Sequence, residues 1–137
     1  MKKTNMTVVI LFAVLLVSCA NQSAEHMRRA ATGQPILSAI YQFKQDTGAY
    51  PSNLSVLVPK YLKTAPVVDW MTGWDYGPAD YQGLSNGFKL SRFSVGYKTR
   101  IEYIDDGSIA GWRVNAEGAK TPLHLPDPRK PSQTTSQ

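Results

Sequence analysis

The chain has 137 residues, of which 42% are hydrophobic and 18% charged. That composition excludes a disordered protein and leaves one domain of roughly 100 residues between an apolar N-terminus and a polar C-terminus. The formal net charge of +5 includes Lys2 and Lys3 of the N-terminal segment, and it falls short of the dense Lys/Arg stripe of a nucleic-acid binder.

Lys2 and Lys3 precede Val8 to Val17, an uninterrupted apolar run of ten residues. As a helix that run extends about 15 Å, half of the roughly 30 Å hydrocarbon core of a bilayer. The length suits the hydrophobic region of a secretory signal, not a span. The run ends in Leu16-Val17-Ser18-Cys19, which holds the only cysteine of the chain. One cysteine forms no internal disulfide, so the fold stands on packing. It could serve as a buried small hydrophobe, a reactive thiol or a site of modification; nothing nearby in sequence would lower its pKa for the second role. Leu-Val-Ser-Cys closely resembles the lipobox of bacterial lipoprotein precursors. The resemblance implies peptidase recognition through Leu16, Val17, Ser18 and Cys19, removal of residues 1–18, and acylation of Cys19. No other cofactor is expected, and two or more acyl chains would give stable membrane anchoring. Ala20 after the cysteine, where an aspartate would retain the protein at the inner membrane, implies the periplasmic face of the outer membrane. Residues 19–25 read as a tether that spans no more than about 20 Å when fully extended.

Glu25 to Thr47 reads as a helix, with Met27, Ala30, Ala31, Ile36, Leu37, Ile40, Tyr41 and Phe43 at three- and four-residue spacing. Gly33 and Pro35 predict an interruption, with the stronger helix running from Pro35 to Asp46 and closed by Gly48 in a left-handed cap. His26, beside Arg28 and Arg29, is expected in solvent, since no second ligand stands one helical turn away.

The stretch AIYQFKQDTGAYPSNLSVLVPKYLKTAP follows. Tyr50-Pro51 forces extended backbone, and Ser52 can cap a short helix carrying Leu54 and Leu57 that ends at Pro59. This order resembles the globular part of type II secretion major pseudopilins and related type IV pilin-like proteins. The matching residues are Asp46, Gly48, Tyr50, Pro51, Leu54, Leu57, Val58, Pro59, Tyr61, Leu62 and Pro66, and the likeness covers roughly residues 35–95. It implies an α+β fold with an N-terminal helix packed on a small antiparallel sheet, over residues 26–120. Two features depart from the family. A lipid anchor stands in place of the polymerising N-terminal helix, and Asp69-Trp70-Met71-Thr72-Gly73 lacks the usual proline. Family members hold calcium near the C-terminus; the nearest candidate here, Asp105-Asp106-Gly107-Ser108, offers too few acidic ligands. Asp106-Gly107 is instead a strong hairpin signal, and no metal site is expected.

Gly87 to Val95, Tyr97 to Ile104 and Ser108 to Asn115 are β-rich runs separated by turn residues. In the second, Tyr97, Thr99, Ile101 and Tyr103 would share one face, and Lys98, Arg100 and Glu102 the other. Phe88, Leu90, Trp112 and Val114 would face the helix. Lys89, Lys98, Arg100 and Arg113 would then gather on the open face, either as ordinary solvated charge or as a patch for anionic lipid or glycan. The last segment, 121–137, has four prolines in seventeen residues and reads as an extended or disordered tail.

No catalytic constellation emerges. His124 lies in the tail, and no phosphate-binding glycine motif is present. The sequence predicts a non-enzymatic envelope lipoprotein that binds a protein, in an envelope complex such as a secretion or pilus system, and no nucleic acid. Trp70, Trp74, Tyr76 and Tyr81 are the candidate partner contacts. The alternative is a lipid- or glycan-contacting module that uses Lys89, Lys98, Arg100 and Arg113.

Overall fold

The computed structural model describes residues 6–69, 71–78, 87–94, 98–116 and 119–129, with side chains from Gln22 onward and without that of Pro78. It is an α+β structure: one long helix, α1 (Met6–Thr47), a short 3-10 turn (Leu54–Leu57), and a five-stranded sheet. The strands are β1 (Asp75–Pro78), β2 (Phe88–Ser94), β3 (Thr99–Asp105), β4 (Ala110–Ala116) and β5 (Ala119–Leu123). Each pairs antiparallel with the next in chain order, which makes the sheet a meander.

The helix is unbroken at Gly33 and Pro35, which corrects the expected interruption. Gly33 is buried, and a Cβ built there would lie 2.6 Å from Cη2 of Trp74 and 2.7 Å from Cη2 of Trp112. The glycine serves close approach of helix and sheet and does not end the helix. Pro35 removes one donor, but Pro35 and Ala31 both face solvent, where water can satisfy the carbonyl left free. Residues 19–25, expected as a tether, also lie within α1. The buried positions His26, Ala30, Gly33, Leu37 and Ile40 recur at three- and four-residue spacing and form the docking stripe. Gly48 closes the helix with φ of 82°, and its N–H donates to the Lys44 carbonyl at 2.8 Å.

The sheet alternates as its sequence predicts. Phe88, Leu90, Ile101, Tyr103, Trp112 and Val114 are buried against α1. His26 contacts Thr99 and Tyr41 contacts Tyr103. Fifteen helix residues rise about 22 Å, and the strand from Thr99 to Tyr103 and on to Asp105 covers about 20 Å. β3 therefore runs beside α1 in the same direction. Asp106-Gly107 forms the β3–β4 turn, in which Asp106 Oδ1 accepts from the N–H groups of Ser108 and Ile109.

The first part of the segment expected as a tail from Thr121 belongs to the folded domain. Residues Ala119–Leu123 pair with β4 from Ala116 back to Trp112, and Leu123 and Leu125 pack against the core. Gln34 on α1 donates to the Pro126 carbonyl at 2.9 Å. Backbone pairing, not apolar alternation, makes β5, and Pro122 is tolerated there because it lies on an edge strand. Residues 130–137 lie outside the described residues.

Candidate functional site

The turn that closes α1 sets the geometry around it. Asp46 accepts from Lys60 Nζ and from the Tyr61 hydroxyl, and both partners hold its carboxyl below the usual range. Leu54 and Leu57 enter the core, and Pro51 is fully buried. Asn53, not Ser52, caps the 3-10 turn, accepting from Ser55 N–H at 3.0 Å.

Past that turn the chain forms a loop leading into β1. Asp69 organises it: its carboxylate accepts from Met71 N–H at 3.0 Å and from the Thr72 hydroxyl. These bonds hold the Asp69 carboxyl below its ordinary value, the Met71 N–H contributing most. Gly73 N–H donates to the Asp69 carbonyl at 2.9 Å, and Trp74 N–H to the Val67 carbonyl at 2.8 Å. A Cβ on Gly73 would lie 2.3 Å from the Val67 carbonyl oxygen, so only glycine fits. The loop borders a groove of about 430 Å3 lined by Ile36 of α1, Leu62, Pro66, Val67, Trp74 and Arg92 of β2, among others. Its polar groups are the hydroxyls of Thr64 and Thr72 and the Arg92 guanidinium. Such a surface can bury an apolar group and pair it with an anion.

Of the four aromatics expected to contact a partner, Trp74 is 6% exposed and forms the groove's floor while packing on Trp112 at 5.9 Å. Tyr76 is half-buried, donates to the Pro51 carbonyl at 2.6 Å and packs on Phe88, so it braces the core. Trp70 and Tyr81 lie outside the described residues. The two described aromatics are thus core elements first, because register sets Tyr76 opposite Leu90 on the helix side.

The basic face is not a bare cationic patch. Lys89, Arg100 and Arg113 do alternate onto the outer side of the sheet, while Lys98 sits in the exposed turn before β3 with φ of 49°. Arg100 reaches Asp75 at 3.5 Å and Ser91 at 3.3 Å. Arg113 donates to Glu102 at 2.7 Å, its register partner across β3–β4. Glu102 is only 3% exposed, so the open face carries a buried carboxylate.

His26 is also buried, with Nε2 3.2 Å from the Thr99 hydroxyl, which corrects its expected solvation. Burial, then the nearby Arg29, lowers its pKa, and Glu25 partly opposes them. Among the described residues no group of three or more His, Cys, Asp or Glu could hold a metal ion. Leu16, Val17, Ser18 and Cys19 fall within α1, and their side chains lie outside the described residues.

With this geometry in view, no known protein family, curated protein or solved structure matches the chain. The site rests on its own chemistry. Arg92, Val67, Val68 and Met71 were not singled out from sequence. The available signal was Val67-Val68, an apolar pair after Pro66 that belongs to no periodic element.

Proposed function

We propose that this chain is a lipid-anchored envelope protein whose pilin-like α+β domain is a non-enzymatic protein-binding module. The observation that carries the binding role is exposed apolar surface at the groove: Val67, which lines it, is 70% exposed, and the adjacent Val68 is 64% exposed, on a loop pinned by Asp69. Large contiguous apolar patches are rare on monomeric proteins and mark interaction sites. The anchoring role rests on Leu16-Val17-Ser18-Cys19. Support for a pilin-like arrangement comes from the Asp46–Pro51 turn, in which Asp46, Gly48 and Pro51 each hold a structural position and Tyr61 donates to Asp46 from beyond it. After removal of residues 1–18, the helix from Cys19 to Thr47 would lead into that turn. On this reading Cys19 stands seven residues, about 10 Å of helix, before His26, the first buried position of the docking stripe. An acylated Cys19 would therefore hold the domain close to the outer-membrane surface, where a secretion or pilus assembly could meet it.

The alternative, a lipid- or glycan-contacting module, has less support, because Arg100 and Arg113 already have carboxylate partners. Mass spectrometry of the chain purified from envelopes tests the main reading. The expected product begins at Cys19 and carries acyl mass, and Cys19→Ala abolishes both acylation and membrane retention. A mature chain with an unmodified Cys19 would overturn the anchor. For the module, photocrosslinking from Val68 in intact envelopes is expected to give one dominant, salt-resistant protein adduct; adducts to lipid alone would overturn it.

A further inference from the structure

The loop that borders the groove carries apolar side chains that the fold itself does not cover. Val67 is 70%, Val68 64% and Met71 42% exposed, all on the loop that Asp69 fixes through Met71, Thr72 and Gly73. The floor is Trp74, and one wall supplies Arg92, which stands half-buried on the helix-facing side of β2. Its guanidinium carbon lies 5.8 Å from the centre of the Trp74 ring. Arg100 and Arg113 on the neighbouring strands have Asp75 and Glu102. Among the described residues Arg92 has no carboxylate within 4.0 Å. Tryptophan and arginine, here side by side in one groove, are the residue types enriched at binding hot spots.

We infer that the groove receives a segment of a partner protein that sets an aliphatic side chain against Trp74 and a carboxylate on Arg92. This rests on the reading of the domain as a protein-binding module and adds the chemistry of its partner. A half-desolvated guanidinium without a counter-ion among the described residues favours an anionic group at that point, and the apolar floor beside it favours a hydrocarbon group. The placement of the apolar surface selects protein over lipid. An acyl chain is covered by enclosing walls, whereas Val67 lines the groove and is 70% exposed, with Val68 and Met71 exposed on the same loop, where only an occupant with a surface of its own can cover them.

A random twelve-residue peptide library displayed on phage, selected against the full chain in nonionic detergent, tests the inference. The expected peptides carry Leu, Ile, Val or Met within two residues of Asp or Glu. Their binding falls about tenfold or more in Arg92→Glu and in Val67→Asp, survives in Arg92→Lys, and is unchanged in Lys98→Glu. Arg92→Gln gives an intermediate loss at an unchanged melting temperature, which separates lost charge from lost fold. The inference is overturned by selected peptides without an acidic residue, by acidic peptides that bind Arg92→Glu equally well, or by a library that yields none. It is equally overturned by Arg92-dependent binding of radiolabelled dodecanoate in the absence of peptide binding, which would make the groove an acyl site. Cys19→Ala keeps peptide affinity, so a failed anchor leaves this test standing. A protein adduct from Val68 that persists in Arg92→Glu, with no peptide selected, keeps the module and removes this partner chemistry.

Discussion

The Tyr41 hydroxyl of α1 donates to the Asp105 carboxylate of β3 at 2.6 Å and is 2.9 Å from the Tyr103 hydroxyl. Tyr50 donates to the same carboxylate oxygen at 3.0 Å, and the other oxygen accepts from Gly107 N–H at 2.8 Å. A carboxylate that is 4% exposed is thus satisfied from the helix, the chain beyond it and the β3–β4 turn. Burial first, and the Asp105 bond second, push the Tyr41 phenol well above its ordinary value. Tyr41→Phe removes a charge-assisted bond at an otherwise unchanged shape and is expected to cost about 1.5–3 kcal/mol. Tyr50→Phe, with its longer bond and greater exposure, is expected to cost less. Urea denaturation of the two variants checks the order; midpoints equal to that of the unmodified chain would show that the network does not hold helix to sheet.

Gly33 and Gly111 give opposite expectations for the same substitution. Alanine at 33 brings a Cβ within 2.7 Å of both Trp74 and Trp112, and such overpacking costs about 1–3 kcal/mol. The gain in helix propensity, about 1 kcal/mol, does not offset the displacement of two buried tryptophan rings that contacts this short force. At Gly111 on β4 a new Cβ meets nothing within 4 Å, and replacing a strand glycine there is expected to stabilise by about 0.5–1 kcal/mol. Thermal melts should therefore shift down for Gly33→Ala and up for Gly111→Ala.

Where the decisive partner is near in sequence, the fold is legible. The alternation Thr99, Arg100, Ile101, Glu102, Tyr103 assigns faces directly, and Asp106-Gly107 marks its turn. Gly33 is ambiguous for a physical reason: a glycine breaks a helix or admits a neighbour, and here the neighbours, Trp74 and Trp112, come from a loop and a distant strand. His26 reads as solvated from its charged flank, yet Thr99, far along the chain, buries it. β5 is invisible because Ala119–Leu123 owes its pairing to backbone groups and not to side-chain pattern. The groove is the extreme case, since Ile36, Val67, Trp74 and Arg92 share no local motif. Turn chemistry and periodicity fix the frame, but a groove assembled across three elements appears only after they pack.

His26 makes stability depend on pH in a window above the carboxylates. Its folded pKa lies below the ordinary 6.5, so between those values the unfolded chain binds the extra proton. Stability is then fully present above 6.5 and is lost as pH falls through the folded pKa. Arg29 and Glu25 are the charged groups facing the ring: Arg29 strengthens the effect, and Glu25 offsets part of it. Glu25, held at about 2 by its bonds to Arg28 and Arg29, titrates well below this window. Urea midpoints measured from about pH 8 to 5 should fall in the unmodified chain and stay nearly flat in His26→Gln, which can still bond Thr99. An equal fall in both would assign the slope to another group.

Glu102 and Arg113 form an ion pair whose two members should not be equivalent. Glu102 has a side chain only 4% exposed, while that of Arg113 is 31% exposed. Removing the arginine strands a buried carboxylate that no longer has its charged partner, and the cost of such a group is about 1–3 kcal/mol after allowance for solvent near Arg113. Removing the glutamate leaves an arginine that can turn its flexible stem toward water, so the loss is smaller. Arg113→Met is therefore expected to destabilise more than Glu102→Met, and the double variant to recover part of the difference. A double-mutant cycle by urea denaturation measures this directly. Equal losses, or strict additivity, would mean that the outer face of the sheet is held by packing and that Glu102 is buried without depending on its partner's charge.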